Sequence, residues 1–387
     1  MIRLNLFGNL SEEFKDKIFK ILLFIFFSVY IFKQTNFFYN QTFFNIKNFN
    51  NFLFLLNISF IFFRWNYFLD VFKRINIRHF LLTISSILFS LLIFAPPDLI
   101  LIDLIKVFII FSISLSISKD FPRCIEIISD SISLTVLLCV FLSNFIYPDD
   151  FIQHENWIKN SAGFINSNIP SLFLFSSIFG YFLINKRGKF LLVTIINFLF
   201  YFYLKIHSRT ATFSIILLTF GLFIKNKSFY KAIRYISLII STLYLILFFS
   251  FKSFNDIIGK NIFYNTLDNL LSKRVSSLLS QDWQINTFDR IISLKNDFTP
   301  VIDSLYFELI RYLGLISLFF LVLFFLNRYY FKSYIYKPQF AVNILLISGI
   351  FEGLFYKITP MILFLTHIIL ENFLLKNTLH KIRKDHK

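Results

Sequence analysis

The stretch "IFKILLFIFFSVYIF", residues 18–32, decides the fold class. It is the first of a series of long apolar runs, and such a series has lipid rather than water as its solvent. It follows Lys15 and Lys17 and is followed by "KQTNFF", with no small-x-small cleavage site, so it reads as a retained helix rather than a signal peptide. Comparable runs recur near 48–63, 80–95, 99–117, 125–147, 169–185, 190–206, 211–224, 235–251, 304–326, 339–356 and 360–375. The chain is 56% hydrophobic, with 59 Phe against 9 Gly and 8 Pro, and a soluble domain of 387 residues could not hide that much apolar surface. The expected fold is an all-α polytopic integral membrane protein: one membrane domain over 1–387, about twelve transmembrane helices and one long outer loop.

The formal charge of +17 does not imply nucleic acid, because the Lys and Arg lie between apolar runs rather than on one basic face. They read instead as topology. Of the 39 Lys and Arg, 25 fall in the alternate segments that include both termini and 12 in the loops on the other side, with Lys106 and Arg311 inside apolar runs. Six of those 12 sit in the longest loop, 252–302, whose length weakens its vote. Both termini are therefore expected in the cytoplasm and 252–302 outside. Cys124 and Cys139, 15 residues apart in one apparent helix, are separated by about 22 Å and cannot pair with each other.

The outer loop is too long to be a mere connection. Within it, "LDNLLSKRVSSLLS", 267–280, spaces its apolar residues by three and four, which suits an amphipathic helix on the membrane surface. That helix would hold Lys273 and Arg274 near headgroups. Simple attraction to lipid phosphate and a substrate role both remain open for them.

Several polar residues stand where apolar ones would be expected. His207, Ser208, Arg209, Thr210 and Thr212 crowd a very short outer turn, as a polar site at the mouth of a bundle would, although an arginine at a helix end can also snorkel to water. Asp303, Tyr306 and Arg311 open the helix "DSLYFELIRYLG", where Asp303 serves equally as an N-cap acid or a substrate contact. Glu308 with Arg311, and Asp103 with Lys106, have the spacing of ordinary helical pairs. Glu352 in "ISGIFEGLFYKI" has no local partner, which makes it a candidate lining a cavity. The six histidines lack paired ligand spacing, so no metal or other cofactor is expected.

Four pieces, in order, resemble segments of the Wzy-type O-antigen and capsule repeat-unit polymerases. "GFINSNIPSLFLFSSIFG" (163–180) is similar to GF-x-NPN-x-x-G, and "KIHSRTATFSIILLTFGLF" to the G-x-SRTA helix start. "LDNLLSKRVSSLL" is similar to LN-x-LLSGR, and "DSLYFELIRYLGLI" to DN-x-Y-x-x-L-x-x-x-G-x-I. Lys273 stands where the family often has Gly, Ser304 where it has Asn, and Pro170 where Leu and Gly usually finish the segment. The resemblance implies a metal-independent glycosyltransferase of polysaccharide biosynthesis in the cytoplasmic (inner) membrane of a bacterium, making lipopolysaccharide O-antigen or capsule. It would transfer a growing glycan from undecaprenyl diphosphate to a lipid-linked repeat unit on the outer leaflet. Its partners would be the undecaprenyl-diphosphate-linked oligosaccharide, membrane lipid and a chain-length regulator protein. Arg209, Arg274 and Asp303 would then be catalytic, with Arg290, His207, Tyr306 and Glu352 binding substrate; Asp303, Glu352 and His207 compete for the role of base.

Two other functions are weighed against it. An O-antigen ligase of similar architecture carries an essential His in the long outer loop, and 252–302 contains none. A lipid-linked oligosaccharide flippase would show two related halves, and no internal repeat is visible.

Overall fold

The computed structural model describes residues 11–35, 46–65, 67, 112–146, 151–154, 157–160, 162–164, 168–206, 208–224 and 227–249, together with 340, 341, 343, 344 and 347. Within these the architecture is helical: α1 (Glu12–Phe32), α2 (Ile46–Phe63), α3 (Phe121–Ile146), α4 (Ile169–Leu183), α5 (Arg187–Tyr203), α6 (Arg209–Phe223) and α7 (Lys227–Phe249). A 3-10 turn, Ser118–Asp120, leads into α3. The departure from an all-α chain is a short antiparallel hairpin, β1 (Phe151–His154) and β2 (Trp157–Asn160), with Phe151 opposite Asn160 and His154 opposite Trp157. Seven of the helical runs anticipated from the sequence coincide with these helices to within a few residues at most ends.

Among the described residues the expected count of twelve spanning helices is not reached. Among the described residues one stretch, Phe121–Ser143, is long and apolar enough to cross a membrane, while Phe52–Phe63, Ile169–Leu183 and Arg209–Phe223 are apolar but shorter. The physical reason is visible helix by helix. α4 and α6 have 15 residues each, about 22 Å of rise, and α1, α5 and α7 carry charged residues in their opening turns that shorten the uncharged stretch. The runs at 80–95, 304–326 and 360–375, and most of 99–117 and 339–356, lie outside the described residues.

The chain divides into two compact units. In the first (1–80, 106–215, 359–387), α1 packs on α2 and α3, and α4 lies between α3 and α5. α1 turns Phe19, Leu23, Phe26, Phe27 and Ile31 inward, a spacing of three and four that makes one apolar stripe. Phe60 of α2 meets it edge-on, with ring centroids 5.5 Å from Phe19 and 5.6 Å from Phe26. Each such buried Phe stabilises the packing by about 1.5–3 kcal/mol. α4 is buried from Ile169 to Phe182 almost without interruption, which explains why its apolar residues show no preferred face.

Hydroxyl groups fasten these helices. Ser131 Oγ of α3 donates to the Phe24 carbonyl of α1 (2.8 Å) and lies 2.9 Å from Ser28 Oγ, which accepts from Thr135 Oγ1 (3.0 Å). Ser177 of α4 donates to the Ser129 carbonyl of α3 (2.8 Å), and Ser171 of α4 to Asn197 Oδ1 of α5 (2.9 Å). Each satisfies groups that burial would otherwise leave unpaired.

In the second unit (81–105, 216–358), Phe340 packs edge-on against Tyr230 with centroids 4.9 Å apart. Tyr230 Oη donates to the Gly221 carbonyl (2.8 Å), and a Cβ on Gly221 would collide with the Phe340 ring. Ser237 of α7 donates to Asn343 Oδ1 (3.0 Å), both buried.

Candidate functional site

Two ends can be distinguished in the first unit. One gathers charge. Arg64, just past the end of α2, is 2% exposed and sets Nη2 2.5 Å from Asp16 Oδ1 of α1. Its guanidinium stacks 4.3 Å over the Phe19 ring, and its buried nitrogens have no directed hydrogen bond, so the pairing is by charge and stacking. Lys20 bridges Asp16 (2.6 Å) and Asp120 (2.9 Å). Burial works to raise the Asp16 pKa, but the Lys20 hydrogen bond and the Arg64 charge prevail and hold it below the ordinary carboxylate range.

The same end carries a second cluster where α3 meets the turn between α4 and α5. Glu126 pairs with Lys186 (3.1 Å) and Lys189 (2.9 Å), and Asp130 accepts from Lys189 (2.7 Å) and from Tyr181 Oη (2.6 Å). The turn is closed by Asn185 in the left-handed conformation (φ +63), with its own N–H bonded to the Phe182 carbonyl and that of Lys186 to the Tyr181 carbonyl. This is a Schellman ending in which Asn takes the place of the usual glycine.

The opposite end lies one length of α5 away, about 25 Å for its 17 residues. There Lys205 turns the chain with φ +52, and the Ile206 N–H reaches back to the Phe200 carbonyl (3.1 Å). Ser208 starts α6 as its N-cap: its Oγ accepts from the Ala211 N–H (3.3 Å) and its carbonyl from the Thr212 N–H (3.0 Å). Arg209 follows at the first helical position, exposed, with the 80% exposed ring of Tyr203 at the end of the preceding helix. Thr210 is buried, and the Thr212 hydroxyl is enclosed without a hydrogen-bond partner.

The polar crowding read from "HSRTAT" thus separates into roles. Ser208 is occupied in capping, Thr210 faces the packing, and Arg209 is the charged group presented outward. The segment 162–164, which opens the first family-like piece, belongs to this end too: Phe164 is buried and forms an isolated bridge with Thr35, just beyond α1. Gly163 has φ +74 and approaches α3 so closely that a Cβ would lie 2.7 Å from Ser143 Cβ. Pro170 occupies the first turn of α4, where a missing N–H leaves no intrahelical bond broken.

His207, Arg274, Arg290, Asp303, Tyr306 and Glu352, with the loop 252–302, lie outside the described residues. Cys124 and Cys139 are both free and buried. Among the described residues no group of three or more His, Cys, Asp or Glu could hold a metal ion. The sequence does not reveal the ion clusters around Arg64 and Lys189; the one local signal is Glu126 and Asp130, four apart and the two acidic residues of α3. No family model, no curated protein and no solved structure matches this chain.

Proposed function

We propose that this is an integral membrane glycosyltransferase whose reacting face is the end bearing Arg209. The helices support a lipid environment. Leu134, Leu138, Phe141 and Phe145 run along α3 exposed, as do Leu192, Ile195, Leu199 and Phe202 along α5. Unbroken apolar belts of this kind are foreign to a water-facing surface and natural to a lipid-facing one. The end rich in Lys15, Lys20, Arg64, Lys119, Lys186 and Lys189 is then cytoplasmic by the positive-inside rule, and Arg209 faces outward.

Within that class the reading is a repeat-unit polymerase, and the exposed Arg209 at the mouth of α6 is the observation that carries it. In the transfer, the bond from the anomeric carbon to the diphosphate oxygen breaks and a bond to an acceptor hydroxyl forms, the hydroxyl proton passing to a base. Charge accumulates on the departing diphosphate. A guanidinium stabilises it through paired N–H donors while remaining charged throughout, so no metal is required. Arg274 is assigned a like role and Arg290 a weaker one, with Asp303, Glu352 or His207 as base or acceptor-orienting group and Tyr306 as a glycan contact.

The test is polymer length in strains carrying Arg209→Ala and Arg209→Lys. Alanine should reduce polymerisation about a hundredfold with the protein still accumulating, and Lys should restore it in part because it lacks the planar fork. Full-length polymer from the alanine variant would reduce Arg209 to a headgroup anchor.

A further inference from the structure

The cluster on Glu126 and Asp130 fixes a difference in level at the basic end. These carboxylates are five and nine residues into α3, about 7 and 13 Å along its axis, yet they hold Lys186 and Lys189 at the very start of α5. The turn between α4 and α5 is therefore set back, and the first turns of α3 stand above it as a step.

The tread of that step, Asn185 to Gly188, is exposed. Arg187 and, on the riser, Arg123 are exposed and have no ion-pair partner among the described residues. Four cations, Arg123, Lys186, Arg187 and Lys189, face two carboxylates. Gly188 has nothing within 4 Å of where a Cβ would stand, so the space over the tread is open. Running down from Gly188 on the same helical face are Leu192, Ile195, Leu199 and Phe202, at spacings of three and four. All four are exposed. A cationic ledge thus continues directly into an apolar strip about 15 Å long, a combination that suits an amphiphile rather than a free anion.

We infer that this ledge binds the anionic headgroup of a cytoplasmic-leaflet phospholipid, with the phosphate beside Arg187 and Lys186 over Gly188 and the acyl chains along the Leu192 to Phe202 strip. The inference rests on the membrane reading of the chain given above. Lys189 is held by both Glu126 and Asp130, and the half-exposed Lys186 contacts Glu126 alone, so Arg187 is the principal donor for the headgroup and Lys186 contributes its remaining ammonium hydrogens.

The full-length protein, purified in detergent and moved into nanodiscs of phosphatidylcholine doped with phosphatidylglycerol, provides the test. Lipid retained after mild delipidation should be enriched in phosphatidylglycerol, and inorganic phosphate should not displace it. Arg187→Gln and Lys186→Gln should each weaken retention about fivefold. Gly188→Leu, which fills the open space without altering charge, should weaken it as well. Equal retention of the two lipids by a protein that resists carbonate extraction would overturn the lipid site alone. Displacement by inorganic phosphate would show a simple anion site and overturn it too. Release from the membrane by carbonate would overturn the membrane reading and the site together.

Discussion

Replacing Asp16 by Asn removes the counter-charge of the most buried cation described in this chain. Arg64 is 2% exposed and Asp16 23%, and their side chains meet at 2.5 Å. Without the carboxylate the guanidinium keeps only the Phe19 face, since none of its nitrogens has a directed hydrogen bond to fall back on. Breaking a buried pair from one side costs about 3–5 kcal/mol, and the partial exposure of Asp16 places this case near the lower figure, about 3 kcal/mol. Arg64→Met removes the cation, and in the double variant the penalty of an unpaired buried charge disappears, so Asp16→Asn/Arg64→Met should recover most of the loss. The assay is a double-mutant cycle on the detergent-solubilised protein, read by denaturant-induced loss of helical signal. Because the Asp16 pKa is held below its ordinary value, its contribution is complete above about pH 4 and is lost as pH falls through the lower folded value. That acid-sensitive component should be missing in Asp16→Asn. An unchanged single variant, or single-variant losses that simply add in the double, would refute the reasoning.

Three further outcomes are expected, two from the geometry and one from the distribution of Lys and Arg along the sequence. Gly163→Ala should destabilise by about 1–3 kcal/mol, because the residue sits at φ +74 with Ser143 Cβ 2.7 Å from the new carbon; Ser143→Gly should relieve the collision but not the backbone strain, giving partial recovery in a melting assay. Gly221→Ala should be more damaging than a surface change of equal size, since the Phe340 ring must leave its place against Tyr230; near-native stability would show that the aromatic contact is dispensable. Single cysteines at Ser272 or Ser280 should be labelled on intact cells by an impermeant reagent, and labelling only after permeabilisation would invert the orientation.

The local part of this fold was legible in the sequence. Continuous apolar runs give helices wherever their ends are described, and Pro170 and Asn185 mark a start and a stop by ordinary backbone preferences. The hairpin at 151–160 is hard to read from sequence because "FIQHENWIKN" is short and mixed in polarity, with only the central "EN" between two four-residue runs to suggest a turn. The charge clusters were illegible for a different reason. Asp16 and Arg64 stand 48 residues apart, and Glu126 and Lys189 63 apart, so their pairing depends on which helices pack together. Lys186 and Lys189 could be counted for topology without revealing that carboxylates on α3 neutralise them. For the candidate site, "SRTA" marked Arg209 as a charged group at a helix start, where the structure shows it exposed, whereas the employment of Ser208 as a cap required the backbone of α6.

The central claim is polymerisation of lipid-linked repeats, and the most direct measurement is the glycan inventory of a strain lacking this protein. Surface polysaccharide would be resolved by gel, with carrier-linked intermediates extracted in parallel. A missing polymerase leaves synthesis, flipping and final transfer of single repeats intact, so the surface acceptor should carry one repeat unit and no ladder, and full-length protein supplied in trans should restore the ladder. Long chains accumulating on the lipid carrier would instead indicate a ligase, and single repeats trapped on the inner leaflet a flippase. Either result would contradict the account.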